Sequence, residues 1–164
     1  MPAQLKSSTQ RQTLILTLSN PGFRNALGPE IYAAGTEALM AAESNPDIKS
    51  VILTGEGEHF CAGGNLNRLL DNRQQAPEVQ ARSIEGLHGW MQTLRTFPKP
   101  VIGAVEGACA GAGFSLVLMC DLVIAASNSV FVLAYSNVGL STDGGATWNL
   151  ARALPRPLAS EILM

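Results

Sequence analysis

The chain has 164 residues, of which 46% are hydrophobic and 15% are charged, and its formal net charge is −2 at pH 7. This composition is typical of a single globular domain, and the weakly acidic balance excludes the basic surface on which nucleic-acid binding depends. The most apolar stretch holds 14 uncharged residues between Glu106 and Asp121, fewer than the roughly 20 that a membrane-spanning helix requires.

The first residues of the chain are polar and lack the apolar core of a secretion signal. We predict a flexible N-terminal segment over residues 1–12 and a single domain over residues 13–164. The cysteines Cys61, Cys109 and Cys120 are odd in number and have no C-x-x-C spacing, so they indicate neither a disulfide framework nor a zinc site. A reducing cytoplasm is therefore the expected compartment.

Apolar runs alternate with turn residues in the order strand, turn, helix, strand. Runs rich in β-branched residues and closed by glycine-containing turns predict the first two strands, and Pro29 at a first-turn position predicts the helix between them. A loop that we expect to be mobile is predicted over residues 73–79. The order favours a mixed α/β fold whose apolar strands are buried from both sides. The predicted strands span residues 13–18, 50–54, 101–105, 122–125 and 130–133, and the predicted helices begin near Pro29, Asn65, Ile84 and Ala112.

Two glycine-rich stretches, residues 60–66 and residues 107–113, each follow a strand-like run and precede a helix-like run. Glycine lets the backbone turn sharply at a strand end, and the start of a helix leaves several N–H groups without internal partners. One such N–H group from each stretch could hold one developing negative oxygen. The two stretches are therefore predicted to form an oxyanion hole.

Other catalytic and nucleotide motifs fit less well. A dinucleotide-binding G-x-G-x-x-G motif would need glycine where Leu116 stands, and no Gly-Lys-Ser/Thr follows either stretch. A nucleophile elbow at Ser115 would need glycine at Val117, and only His59 and His88 could serve as its base. The nucleotide motifs are excluded, and the interpretation of Ser115 as a helix residue without nucleophilic chemistry is preferred.

Asp143 precedes a Gly-Gly pair and a helix-like run. Two interpretations stay open: an N-cap of that helix, or an N-cap that also performs acid–base chemistry. The scarcity of carboxylates near the glycine-rich stretches supports the second interpretation. Glu106 is the main competing carboxylate.

Several motifs in a fixed order carry a family resemblance. They are Asn20-Pro21, Asn25-Ala26-Leu27, Val51-Ile52-Leu53-Thr54-Gly55, Phe60-Cys61-Ala62-Gly63, Lys99-Pro100-Val101-Ile102, Cys120-Asp121-Leu122-Val123-Ile124-Ala125 and Gly139-Leu140. With them, over roughly residues 13–164, the chain resembles the crotonase family, also called the enoyl-CoA hydratase/isomerase family. The resemblance implies a ClpP/crotonase-like spiral of ββα units and a substrate held as a coenzyme A thioester, with no permanently bound cofactor and no metal.

The last residues, 157–164, are typical of the start of an apolar helix and carry no capping glycine, so we expect the chain to stop within an element. The resemblance implies that a C-terminal helical subdomain, missing or cut off here, packs against the core, completes the CoA site and builds trimers. In that longer protein we expect a homo-oligomer, either a trimer or a dimer of trimers.

The resemblance also implies which residues form the site. By position, the N–H groups of Gly64 and Ala112 donate to the thioester oxygen, and Asp143 is the catalytic carboxylate. The implied substrate and CoA contacts are Arg24, Ala26, Leu27, Ala62, Gly64, Asn65, Leu66, Ala112, Ser115 and Tyr135.

The choice of reaction depends on three of these residues. Ser115 and Tyr135 stand where family hydratases have two glutamates, and a hydroxyl must ionise before it can take a proton. Asp143 resembles the aspartate of family isomerases, notably those of phenylacetyl-CoA breakdown, so an enoyl-CoA isomerase acting on a double bond or a ring is predicted. The alternatives are a hydratase or thioester hydrolase that uses Ser115, Tyr135 or Glu106, and a non-catalytic CoA-binding or assembly subunit.

Overall fold

The structure is a computed structural model that describes residues 3–164, so residues 1 and 2 of the predicted flexible segment lie outside the described residues. Short 3-10 turns lie at Pro21–Phe23 and Ser136–Val138. No helix within residues 3–164 has the length and apolarity to cross a membrane. The strands and helices follow in the order β1 (Gln4–Gln10), β2 (Thr13–Ser19), α1 (Pro29–Ser44), β3 (Ser50–Gly55), α2 (Leu66–Asn72), α3 (Pro77–Arg95), β4 (Val101–Val105), β5 (Ala108–Ala110), α4 (Ala112–Val117), β6 (Leu122–Ala125), β7 (Val130–Val132), α5 (Ala146–Ala153) and α6 (Arg156–Leu163).

Five strands form the main sheet in the order β1-β2-β3-β4-β6. Strand β1 is antiparallel to β2, whereas β2, β3, β4 and β6 are parallel neighbours. A second, two-stranded parallel sheet joins β5 to β7. Because parallel strands end at the same edge of a sheet, the loops after β2, β3 and β4 meet there. The α/β class is confirmed, and both glycine-rich stretches lie at this edge.

One hydrophobic core joins the main sheet to helices α1 and α3. The fully buried side chains include Leu16 from β2, Leu53 from β3, Leu39 from α1 and Trp90 from α3. The buried positions of α3 recur at helical spacing, as the sequence predicts for this helix. The core therefore fixes both helices against the strands whose ends carry the glycine-rich stretches.

Strand β1 corrects the prediction of a flexible N-terminus. Its residues pair with β2 along their whole length, from Gln4 opposite Ser19 to Gln10 opposite Thr13. The side chains are mostly exposed, and the backbone pairing with an apolar neighbour orders the segment. A polar edge strand gives little apolar periodicity, which explains why the sequence pattern did not indicate it.

Two further predictions also need correction. Strands β6 and β7 expose their apolar side chains instead of burying them on both sides, because within residues 3–164 no element covers those side chains. Helix α3 begins at Pro77, inside the predicted mobile loop. Proline at the first helical position and Glu78 in the first turn favour this start.

The loop after β2 depends on one buried amide, that of Asn25. Its Nδ2 group donates to the carbonyl oxygens of Glu56 at 2.9 Å and His59 at 2.7 Å, and its Oδ1 accepts from the Asn20 N–H at 3.0 Å. Its backbone φ of 58° lies in the left-handed region, which asparagine tolerates better than most residues. Asn25 therefore ties the loop after β2 to the loop after β3.

We expect Asn25→Ala to lower the free energy of unfolding by about 3 kcal/mol. The variant leaves buried backbone groups unpaired, and alanine tolerates the positive φ at this position less well than asparagine does. Asn25→Gly removes the same hydrogen bonds without the φ penalty and should cost less. Urea unfolding followed by circular dichroism measures both variants. Asn45→Ala is the control, since the exposed Asn45 side chain caps only one N–H group. Equal losses for Asn25→Ala and Asn45→Ala would contradict this role.

Candidate active site

The loops after β2, β3 and β4 are joined by backbone hydrogen bonds. The Leu27 N–H donates to the Gly63 carbonyl at 2.7 Å, and the Ala62 N–H donates to the Arg24 carbonyl at 2.9 Å. The Ala110 N–H donates to the Cys61 carbonyl at 2.8 Å. The first glycine-rich stretch is thus held between the β2 loop on one side and β5 on the other.

Gly63 brings the two glycine-rich stretches into contact. Its φ is 93°, and a methyl group added to its Cα would lie 2.9 Å from the Ala110 carbonyl oxygen and 3.3 Å from the Ala112 nitrogen. A side chain here would therefore push the first turn of α4 away from the first stretch.

Two backbone N–H groups are left free at this contact. Within residues 3–164, neither Gly64 nor Ala112 donates its N–H to a protein acceptor. Ala112 is the first residue of α4, where no intrahelical acceptor is available. These are the two N–H groups that the resemblance implies as donors to the thioester oxygen, and that role stays a prediction.

Gly63→Ala should destabilise the protein by at least about 2 kcal/mol more than Gly57→Ala, because only the first variant adds a backbone clash. Gly57 is a matched control: its φ of 73° is equally left-handed, but nothing lies within 4 Å of an added methyl group. Thermal unfolding gives the stability difference. The amide resonances of Gly64 and Ala112 in an NMR spectrum should shift in Gly63→Ala alone, and unshifted resonances would contradict the contact.

Asp143 lies in the loop between β7 and α5, and its carboxylate is half-buried. The Tyr135 hydroxyl donates to its Oδ1 atom at 2.5 Å. The N-cap of α5 is Gly145, and no side chain caps this helix. The prediction that Asp143 caps the helix is therefore wrong: Gly144 and Gly145, both at positive φ, separate the carboxylate from the helix start.

Ser115 connects this carboxylate loop to the second glycine-rich stretch. The residue is fully buried, and its hydroxyl donates to the Asp143 carbonyl at 3.0 Å, with the Gly111 carbonyl at 3.4 Å as a second acceptor. A methyl group added to Gly144 would lie 2.8 Å from Ser115 Cβ. The loop that carries Asp143 is thus packed directly on α4, the helix whose first N–H belongs to the predicted oxyanion pair.

Two tyrosine hydroxyls near Asp143 keep their protons at neutral pH. Burial raises the pKa of the Tyr135 hydroxyl above its ordinary value, and the hydrogen bond to Asp143 raises it further. Burial raises the pKa of Tyr32 to about 12. Both groups are therefore hydrogen-bond donors in this site and not bases.

The residues predicted to contact CoA lie around the first stretch but present different groups. Arg24 and Leu66 are exposed, whereas the side chains of Ala26 and Leu27 are buried, so only their backbones can reach a ligand. The Asn65 side chain accepts from two N–H groups in the first turn of α2. Ala62 and Gly64 are half-buried. An open cavity of about 370 Å³ adjoins this region, and its walls are Pro21, Arg24, Asn25, Glu56, Gly57, Glu58 and His59.

The remaining candidates have structural surroundings. His59 accepts the Ala108 N–H through Nδ1 at 3.3 Å, and Glu106 is exposed. Burial raises the pKa of the Cys61 and Cys120 thiols to about 12, so neither is an activated nucleophile. Within residues 3–164, no group of three or more His, Cys, Asp and Glu side chains is placed to hold a metal ion.

Sequence reasoning missed two polar residues beside the site, Tyr32 on α1 and Arg68 on α2. Tyr32 is only 5% exposed, although its hydroxyl has no partner among the hydrogen bonds of the described residues. Each residue lies in a helix that the sequence predicted. Periodicity alone assigns Tyr32 to packing and Arg68 to solvent, so it indicates no function for either. A tyrosine within an otherwise apolar helix face was the one available signal.

Comparison with known proteins shows which family and which individual proteins this chain is similar to. The sequence profile of the family described as enoyl-CoA hydratase/isomerase matches residues 8–164. The chain is 40% identical over 155 residues to 1,2-epoxyphenylacetyl-CoA isomerase of Escherichia coli, covering 93% of this chain and 59% of that protein. It is 33% identical over 168 residues to 2,3-dehydroadipyl-CoA hydratase of the same bacterium, covering 99% and 62%.

The fold comparison gives the same family. The crystal structure of an enoyl-CoA hydratase from Polaromonas sp. JS666 superposes with a TM-score of 0.96 at 72% identity, covering 98% of this chain and 63% of that one. The crotonase fold predicted from the sequence is thereby confirmed. The chain spans about three fifths of the length of these relatives.

Proposed function

The chain belongs to the enoyl-CoA hydratase/isomerase family, and we propose that it is an isomerase that moves a double bond within an acyl-CoA thioester. The observation that carries the proposal is the environment of Asp143: the Tyr135 hydroxyl holds one carboxylate oxygen, Oδ1, and Oδ2 has no protein partner within the described residues. A carboxylate fixed in this way is suited to take up a proton and return it nearby.

The proposed reaction has two proton transfers. With a 3-enoyl thioester, Asp143 removes a proton from carbon 2, and the electrons of that bond move to the thioester oxygen to give a dienolate. The N–H groups of Gly64 and Ala112 donate to this oxygen and stabilise its negative charge. The protonated Asp143 then returns the proton to carbon 4, and the conjugated 2-enoyl thioester forms. One carboxylate is enough for both steps.

Ser115 and Tyr135 act in this scheme as positioning residues. Ser115 donates to the backbone of Asp143, and Tyr135 donates to its carboxylate. Hydration needs a group that takes a proton from water, and two protonated hydroxyls already engaged with Asp143 are poorly suited to that task. This arrangement favours isomerisation over hydration.

Hydration is the second candidate, because relatives named as hydratases match this chain at 33% and 72% identity. In that case Ser115, Tyr135 or Glu106 would have to activate the water. We favour isomerisation on the geometry of Asp143 and on the similarity to the protein named 1,2-epoxyphenylacetyl-CoA isomerase. That name also makes a ring-containing acyl group a reasonable substrate class.

The test compares two substrates with the wild-type protein. A 3-enoyl-CoA and a 2-enoyl-CoA of equal chain length are incubated separately, and the products are separated by liquid chromatography. We expect rapid conversion of the 3-enoyl to the 2-enoyl thioester and slow formation of the 3-hydroxy product. Rapid hydration of the 2-enoyl thioester without any shift of the double bond would contradict the proposal.

A further inference from the structure

One nitrogen of the Arg68 guanidinium, Nη1, is buried and has no hydrogen-bond partner among the described residues. The residue lies on α2, directly after the first glycine-rich stretch, and its Nη2 donates to the Ser83 hydroxyl on α3. Its Nη1 is shielded from solvent and donates to no acceptor within residues 3–164. A guanidinium presents its donors in a fixed fork, so the unused Nη1 group has a defined direction.

Arg68 also makes no ion pair within the described residues. Within residues 3–164 the one ion pair is that of Lys6 and Glu56, so no carboxylate lies within 4.0 Å of the Arg68 guanidinium. Burial of a cation without an anion is costly, and so is burial of an unpaired N–H donor. A bound anion would remove both costs at once.

Arg68 lies next to the start of α1, the helix that carries Tyr32. Its Nη1 is 3.6 Å from the position of a methyl group added to Gly28, the N-cap of α1, and Tyr32 follows one helical turn later. The positive charge of Arg68 lowers the pKa of the Tyr32 hydroxyl and the negative charge of Asp143 raises it, although burial has the larger effect. The Tyr32 hydroxyl is therefore within electrostatic reach of both groups.

There is space next to Tyr32 and next to Ser83, the hydrogen-bond partner of Arg68. An open groove of about 760 Å³ runs between α1 and α3, and both Tyr32 and Ser83 form part of its walls. The far end of an acyl group that starts at the oxyanion pair could therefore extend past Tyr32 towards this groove.

We propose that Arg68 determines substrate specificity by binding a carboxylate at the far end of the acyl group, with the Tyr32 hydroxyl as a second donor. The proposal rests on the proposed function, since it assumes that an acyl-CoA thioester occupies the site. The ligand class is a CoA monothioester of a dicarboxylic acid. A planar guanidinium with a free Nη1 matches a carboxylate in shape and charge.

Two other anions could meet Arg68, and the test separates them. A phosphate group of CoA would interact with every acyl-CoA alike. The Glu30 carboxylate lies beside the same Gly28 position, with Oε2 2.8 Å from an added methyl group, and could pair with Arg68 after a side-chain rotation. Only an acyl carboxylate makes the effect of Arg68 depend on the acyl group.

The experiment measures kcat/KM for two 3-enoyl-CoA substrates of equal chain length, one ending in a methyl group and one in a carboxylate. The selectivity ratio, carboxylate over methyl, should fall by about 30-fold or more in Arg68→Gln and should recover in part in Arg68→Lys. Arg73→Gln, at an exposed arginine just after the same helix, should keep the wild-type ratio.

Each outcome decides one proposal. A ratio that Arg68→Gln leaves unchanged overturns the acyl-carboxylate assignment, and equal losses on both substrates assign Arg68 to a CoA phosphate or to a structural pair with Glu30. If the protein isomerises neither substrate, the isomerase proposal fails by itself. In that case the Arg68 proposal is tested by binding alone. The dissociation constants of the two acyl-CoAs, measured by calorimetry for wild type and Arg68→Gln, replace kcat/KM in the selectivity ratio.

Discussion

Asp143→Asn should lower the rate of double-bond isomerisation by roughly 100-fold or more, because it removes the proposed base while keeping the size of the side chain. The Tyr135 hydroxyl can still donate to the amide oxygen, so the loop should keep its position. Binding of the acyl-CoA should change little. The assay follows 2-enoyl-CoA formation from a 3-enoyl-CoA in deuterated water, where the wild type should also exchange a proton next to the thioester.

Two controls accompany this variant. Asp47→Asn changes an exposed carboxylate after α1 and should retain wild-type activity. Ser115→Ala should affect the isomerisation rate much less than Asp143→Asn, because Ser115 contacts only the backbone of Asp143. Full activity of Asp143→Asn would disprove the proton-shuttle role. Loss of a rapid hydration reaction on Ser115→Ala would instead favour the hydroxyl-based alternative.

Gly64→Pro should cost about 3 to 4 kcal/mol of transition-state stabilisation, since proline has no N–H to donate to the thioester oxygen. Through kcat/KM this corresponds to a loss of roughly 100- to 1000-fold. The loss should appear chiefly in kcat, because the charge on the oxygen is largest in the transition state.

Gly64→Ala is the matched control for the loop. It keeps the N–H group, and the nearest atom to the added methyl group is Leu69 Cδ1 at 4.0 Å. We expect its kcat/KM to stay within about threefold of wild type. Thermal unfolding of both variants shows whether the fold is intact. If Gly64→Pro folds normally and retains full kcat, the oxyanion hole does not include Gly64.

The sequence predicted most of the fold because its strong signals are local. Apolar runs and glycine-containing turns indicated β2, β3, β4 and α1 close to their observed bounds. Strand β1 escaped detection because its order comes from pairing with β2, a contact between residues that local periodicity does not describe. The short strand β5 escaped for the same reason, since it lies within the second glycine-rich stretch and is defined by its pairing with β7.

The predicted site depends on backbone chemistry and on one carboxylate. Glycines at strand ends indicated an oxyanion hole, the family resemblance implied Gly64 and Ala112 as its donors, and the scarcity of nearby carboxylates favoured Asp143. The partners of Asp143 were less accessible to sequence reasoning, because the turn conformations of Gly144 and Gly145 decide whether the carboxylate caps α5 or meets Tyr135. The prediction that Asp143 caps α5 was wrong for this reason.

The side chains that we propose as further substrate contacts could not be predicted from the sequence. Tyr32 and Arg68 belong to different helices, and the unpaired Nη1 atom of Arg68 is visible only once α1, α2 and α3 are packed. The sequence predicted β6 to be buried, but its residues are exposed. Apolar composition indicates that a strand favours burial, and it does not indicate whether another element covers that strand.

The most direct test of the central claim is a crystal structure of the protein with an unreactive acyl-CoA analogue. The thioester oxygen should lie about 3 Å from both the Gly64 and the Ala112 nitrogens. The Asp143 carboxylate should lie within about 3.5 Å of the acyl carbons beyond the thioester. A thioester oxygen bound by other donors, or an Asp143 carboxylate turned away from the acyl chain, would contradict the proposed mechanism.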